Sequence, residues 1–167
     1  LTGLTTRRYL NEALQRTVKA AQRRSEPVSL IFVDVDDFKG LNDRRGHAYG
    51  DRVLTELGKV LLETARGEDT CVRYGGDEFC VLLANSTEEQ AEAAYCQRIR
   101  RLLAERLPEV SISMGVVQTG PDHFDVGGAS GRPETLTGAE LFGGGFLLFP
   151  VRGYQSSTRF GRYAWTV

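Results

Sequence analysis

Apolar positions recur along this chain with two distinct periods. From Thr6 they fall at Tyr9/Leu10, Ala13/Leu14, Thr17/Val18 and Ala21, the spacing of an amphipathic helix. Val28 to Val35 is a short apolar run rich in β-branched residues and predicts a buried strand. A second helix is predicted from about Asp51 to Ala65, with Val53, Leu54, Leu57, Leu61 and Ala65 on one face. Cys71–Tyr74 and Glu78–Leu83 read as strands joined through Gly75-Gly76, a hairpin signal because a tight primed turn needs positive φ. Ser86-Thr87-Glu88-Glu89 reads as a capping box that opens a third helix, running through Ala91, Tyr95, Ile99 and Leu102/Leu103 to about Leu107. Val110, Ile112, Met114 and Val116 then alternate with Ser111, Ser113 and Gly115, the pattern of a half-buried strand. Helices and mostly antiparallel strands in mixed order predict an α+β domain. The 167 residues suit a single domain spanning 1–167, since domains take roughly 100–200 residues.

Beyond about Gly120 the pattern changes. Nine of the 19 glycines lie in residues 127–167, a stretch without lysine, so the apolar periodicity fades there. A short helix over Leu136–Phe142 and a terminal strand over Tyr163–Val167 are the elements this stretch suggests. The opening Leu1-Thr2-Gly3-Leu4 reads as the interior of a motif, so an upstream sensory or dimerising segment is expected.

Charge narrows the function. With 21 Lys and Arg against 22 Asp and Glu, the chain has no global field to attract nucleic acid or an acidic membrane. The first helix is locally basic through Arg7, Arg8, Arg16, Lys19, Arg23 and Arg24, which a solvated face explains. No apolar run approaches the ~20 residues of a membrane span. Cys71, Cys80 and Cys96 are odd in number and lack metal-ligand spacing, as expected for reduced buried thiols in a cytoplasmic protein.

Four stretches could carry chemistry. Asp34, Asp36 and Asp37 end the first predicted strand, with Asp34 and Asp36 on one face. Carboxylates at a strand end suit a hard cation such as Mg²⁺, and a turn or helix cap is the plainer alternative. Asp77 and Glu78 follow the Gly75-Gly76 turn, where like-charge repulsion invites a cation and bare backbone N–H groups can approach a phosphate. An ordinary hairpin with solvated acids is the alternative. Asn42 and Asp51 could grip a base: a carboxylate accepts from the donor edge of guanine, which adenine lacks. Helix capping is the alternative for Asp51, and structural hydrogen bonding for His47. Arg66 and Asp69 could hold opposite edges of a guanine, or simply pair with each other at the surface.

Taken together, these stretches resemble one family. Arg73-Tyr74-Gly75-Gly76-Asp77-Glu78-Phe79 is similar to the signature of the GGDEF diguanylate cyclases. So are Asp34-Val35-Asp36-Asp37-Phe38-Lys39-Gly40-Leu41-Asn42-Asp43, with Gly46-His47 and Gly50-Asp51, and the opening Leu1–Leu4 with Arg7-Arg8. The likeness covers about residues 1–117. It implies a palm-like, nucleotidyl-cyclase fold, an antiparallel sheet flanked by helices with the signature on a β-hairpin. It implies condensation of two GTP into cyclic di-GMP and two pyrophosphates, across a transient homodimer, with Mg²⁺ or Mn²⁺. A weakly catalytic domain that binds cyclic di-GMP or GTP is the alternative.

By the same resemblance, Asp34, the Val35 carbonyl, Asp77 and Glu78 would hold metal, and Asp77 or Glu78 would help deprotonate the 3′-hydroxyl. Lys39 and the amides of Asp37, Phe38 and Lys39 would hold phosphates. Asn42 and Asp51 would read guanine near His47, while Gly75 and Gly76 admit the ribose and α-phosphate. Arg66, Asp69 and Arg98 would form a product-inhibition site for cyclic di-GMP.

Residues 118–167 diverge from the family. Its last helix, Ala-Asp-x-Ala-Leu-Tyr-x-Ala-Lys, gives way to a glycine-rich stretch that begins Glu140-Leu141-Phe142-Gly143-Gly144-Gly145. Gly161-Arg162 takes the family's Gly-Arg place, making Arg162 a GTP-binding candidate. Thr158 stands where the lysine four residues earlier would be. Either this stretch takes another structure, or a shifted reading frame in the source gene accounts for the change.

Overall fold

In the computed structural model, which describes residues 1–119, the chain runs β1 (Thr5–Thr6), α1 (Arg7–Arg24), β2 (Val28–Val35), α2 (Phe38–Arg45), α3 (His47–Thr64), β3 (Thr70–Gly75) and β4 (Glu78–Ala84). It continues through α4 (Glu88–Gln90), a π-helical segment Ala91–Cys96, α5 (Gln97–Arg106) and β5 (Ile112–Thr119). The five strands form one sheet in the order β1-β3-β4-β2-β5. The four longer strands pair antiparallel, and the two-residue β1 adds a parallel pairing to β3. The α+β architecture with helices on the sheet is the one the periodicity predicts.

β2 lies between β4 and β5 with both faces covered, and all eight of its residues are buried. Successive side chains of a strand point to opposite faces, so β2 feeds two cores. Ile31, Val33 and Val35 pack with Leu54, Leu57, Leu61, Ile99 and Leu103 from α3 and α5. Val28, Leu30 and Phe32 pack with Leu10, Leu14 and Val18 from α1. This double burial is why the run reads as continuously apolar rather than alternating.

Several boundaries move. α3 begins at His47, so Asp51 lies inside the helix rather than at its cap. α2, whose only buried residue is Leu41, has too little apolar periodicity to be seen in the sequence. Gly46, with φ of 82°, ends α2 and opens α3. The capping box is Thr87 with Gln90, one residue beyond the expected one: Gln90 N–H donates to the Thr87 hydroxyl, and Thr87 N–H to the Gln90 side chain. The hairpin turn is Gly76-Asp77, since Gly75 still pairs with Glu78, and only Gly76 of the two glycines has positive φ (34°). The predicted helix 136–142, the strand 163–167 and Arg162 lie outside the described residues.

Candidate active site

Adjacent strands bring the two acidic stretches together. Asp34 on β2 is the register partner of Glu78 on β4 and, on its other side, of Ser113 on β5. Directly opposed residues in an antiparallel pair hold their Cβ atoms about 4.5–5.5 Å apart, so Asp34 and Glu78 are neighbours on one face. Asp34 is only 7% exposed. The Val35 N–H donates to the Asp77 carbonyl at 3.3 Å, which ties the signature turn to the end of β2. Arg73 braces that turn from the other strand: its Nε and Nη2 donate to the Gly76 carbonyl at 3.0 and 2.7 Å.

Asp36 keeps to the face of Asp34, whose partner on β5 is Ser113. β2 ends at Val35, and the Asp36 carboxylate accepts from the Ser113 hydroxyl at 2.6 Å, while its N–H donates to the Ser111 carbonyl. Asp37 caps α2 in a left-handed conformation (φ 49°), and its carboxylate accepts from Arg44 at 3.0 Å. α2 therefore starts immediately beside the acidic row. First-turn N–H groups of a helix have no acceptor within the helix, and the dipole there favours an anion. Phe38 and Lys39 open that turn, with Lys39 exposed.

The corner between α2 and α3 holds the residues expected to read a base. Asn42 Oδ1 is buried without a hydrogen-bond partner. It lies against Gly50: a Cβ on Gly50 would overlap that oxygen. Asp51 and His47 are exposed on α3. A buried, unsatisfied amide oxygen is costly, and a donor-bearing ligand at this corner would satisfy it.

The turn after α3 gathers Arg66 and Asp69. Asp69 Oδ2 accepts from the Arg66 N–H at 2.7 Å and from the Tyr95 hydroxyl at 3.0 Å, while Oδ1 accepts from the Ala84 N–H at 3.3 Å. Asp69 thus holds its own turn together, a role its place in the sequence does not reveal. The Arg66 guanidinium sits over the Tyr95 ring, 5.5 Å from its centroid. Burial, reinforced by the bond to Asp69, pushes the Tyr95 phenol up to about 12. Arg98, exposed on α5, donates to the Glu63 carbonyl at 3.5 Å near the end of α3. Arg73, Ser113 and Tyr95 carry structural parts of these sites and do not stand out as functional in the sequence. Their signal is contact across elements, which spacing along the chain does not show.

Among the described residues, no three Asp, Glu, His or Cys side chains are grouped so as to hold a metal ion by themselves. The donor set nonetheless suits Mg²⁺, which is usually bound by one or two carboxylates plus substrate phosphates rather than by an all-protein cage. Here Asp34 and Glu78 stand side by side beside a helix N-terminus.

The family described as "Diguanylate cyclase, GGDEF domain" matches residues 1–129. The chain belongs to this GGDEF family. Among curated relatives, this GGDEF chain is 42% identical over 99 residues to diguanylate cyclase DgcS of Shewanella oneidensis, covering 59% of this chain and 33% of that protein. It is 39% identical over 107 residues to diguanylate cyclase A of Treponema denticola, covering 60% and 29%. The chain thus spans about a third of the length of these relatives. Among solved structures it resembles the active GGEEF domain of a diguanylate cyclase from Vibrio cholerae, with TM-score 0.64, 33% identity, and 70% and 77% of the two chains covered. It also resembles the GGDEF domain of DgcB from Caulobacter crescentus in complex with c-di-GMP, with TM-score 0.65, 26% identity, and 72% and 73% covered. Those neighbours are GGDEF domains, in agreement with the palm-like fold expected from the signature.

Proposed function

We propose that this GGDEF domain condenses two GTP molecules into cyclic di-GMP with release of two pyrophosphates, two copies of the chain each presenting one GTP. The observation that carries the reading is the placement of Asp34 and Glu78 as cross-strand partners, with Val35 bonded to Asp77 and the N-terminus of α2 alongside. The reaction is attack of a 3′-hydroxyl on an α-phosphorus. The oxygen forms a bond to phosphorus, the bond to the pyrophosphate oxygen breaks, and the hydroxyl proton leaves. Catalysis of such a transfer is chiefly positioning and charge stabilisation.

Each group has a part. Asp34, the Val35 carbonyl, Asp77 and Glu78 would hold Mg²⁺, or Mn²⁺. When bound, the ion supplies charge neutralisation of the phosphates and lowers the pKa of the attacking hydroxyl. Asp77 or Glu78 takes up the hydroxyl proton. The first-turn amides of α2, with Lys39, bind the β- and γ-phosphates. Asn42 and Asp51 read the guanine edge, with His47 bordering the same corner. Gly75 and Gly76 leave room for the ribose and α-phosphate, and Arg162 adds a phosphate contact. Arg66, Asp69 and Arg98 bind the product and restrain further synthesis. This chemistry suits the cytoplasm, where GTP is found.

A second reading, a domain that binds the nucleotides but turns them over weakly, is favoured by the sequence after residue 118, where Thr158 replaces the family lysine. Losing one charge-assisted phosphate contact costs about 1.5–3 kcal/mol. Incubation of the protein with GTP and Mg²⁺, followed by separation of nucleotides, decides between them. A cyclic dinucleotide supports the enzyme. Binding of GTP without any cyclic product at high protein concentration supports the second reading.

A further inference from the structure

The helix that follows β4 does not run evenly. Its six-residue π segment, Ala91–Cys96, buries two consecutive residues, Tyr95 and Cys96. In a regular α-helix buried positions recur three or four residues apart. Ala91 and Tyr95 keep that spacing within the π segment, and Cys96, Ile99 and Leu103 carry it on into α5. Such π segments recur at functional sites. Here the segment places a 3%-exposed tyrosine under the exposed Arg66.

Two contacts result from that placement. The Tyr95 hydroxyl donates to Asp69 Oδ2, the same oxygen that receives the Arg66 N–H. The Tyr95 ring lies against one side of the Arg66 guanidinium. A guanidinium backed by an aromatic ring keeps its N–H edge and its other face for a planar partner, and loses less freedom on binding one. Guanine, with O6 and N7 on one edge, is such a partner.

We propose that Tyr95 is a positioning residue of the regulatory dinucleotide site: it holds the Asp69 carboxylate and backs the Arg66 guanidinium, so that Arg66 meets a guanine of cyclic di-GMP already oriented. This rests on Arg66 and Asp69 forming the product site. The polar contacts of Tyr95 are with Asp69 and Arg66, so its part is in regulation.

Calorimetric titration with cyclic di-GMP tests it, using the unaltered chain, Arg66→Ala, Tyr95→Phe and Tyr95→Leu. Initial rates of GTP consumption are measured alongside, with product removed enzymatically. Tyr95→Phe, which loses only the hydroxyl, is expected to weaken dinucleotide binding by about 5–10-fold, and Tyr95→Leu by more. Both are expected to leave the initial rate unchanged. If Tyr95→Leu does not fold, the isosteric Tyr95→Phe carries the test. Arg66→Ala losing affinity while Tyr95→Phe binds as tightly as the unaltered chain would overturn the role of Tyr95. If the unaltered chain does not bind, or Arg66→Ala binds equally well, the product-site reading itself is overturned and this inference falls with it.

Discussion

Asp34 lies between Glu78 and Ser113 with most of its water removed. Holding a carboxylate there next to a second one is expensive unless a cation or donors compensate. Asp34→Asn should cut cyclic di-GMP formation by about 100-fold or more, the several kcal/mol that a lost charge interaction with metal-bound phosphates is worth. A retained rate would remove Asp34 from the site. Gly50 makes an independent test of the base-reading corner. In most helices Gly→Ala is stabilising by up to about 1 kcal/mol. Here the new methyl meets Asn42 Oδ1, so Gly50→Ala should lower stability by about 1–3 kcal/mol, as overpacking does. It should also raise KM for GTP more than it lowers kcat. Denaturant melts and steady-state kinetics on the same preparation check both.

Among the elements, the signature hairpin depends on two braces, Arg73 on the Gly76 carbonyl and the Val35–Asp77 backbone bond. Arg73→Ala removes the first. It should reduce turnover more than stability, since Arg73 is partly exposed and only the turn loosens. Asp69 is the counterpart beneath α3. Its carboxylate joins the 66–69 turn, β4 and the π segment, so Asp69→Ala should cost about 1–3 kcal/mol by leaving polar groups unmet. Thermal melts of the two variants separate the roles: a stable Asp69→Ala would show that the turn does not need its carboxylate.

The same contrast explains which features are legible in the chain itself. β2, α1 and the β3–β4 hairpin announce themselves because burial imposes a period on their residues. α2 does not, because a single buried leucine makes no period. The acids at Asp34 and Asp77-Glu78 are legible as a pair through the motif, and the hairpin through its glycines. That Asp36 bonds to Ser113, the partner of Asp34 on β5, depends on a strand 77 residues away in sequence. The π segment is invisible for a related reason: apolar residues at 91, 95, 96 and 99 fit an ordinary helix well enough until the packing on both sides is known.

Across the whole molecule, burial raises the pKa of three cysteines and of Tyr95. Burial pushes the thiols of Cys71 and Cys96 up to about 12 and that of Cys80 well above its ordinary value. A group whose folded pKa is raised contributes stability that is whole below its unfolded value and is lost as pH climbs through the folded one. With ordinary values of 9.0 for cysteine and 10.0 for tyrosine, these groups keep their contribution to stability below those values and withdraw it progressively as pH rises above them. A melting series in pH should show that alkaline decline, and the thiols should resist alkylation at neutral pH until denaturant is added. Rapid labelling of the native protein would contradict the burial.

Joint action of the β2 and β4 carboxylates on GTP underlies the proposed chemistry. It is measured as cyclic di-GMP formation from GTP and Mg²⁺ by the unaltered chain, Asp34→Asn, Glu78→Gln and the double variant, at protein concentrations that permit pairing. Product is expected from the unaltered chain, with a large loss in each single variant and little further loss in the double. Product formation that survives both substitutions, or two losses that simply multiply, would contradict joint action.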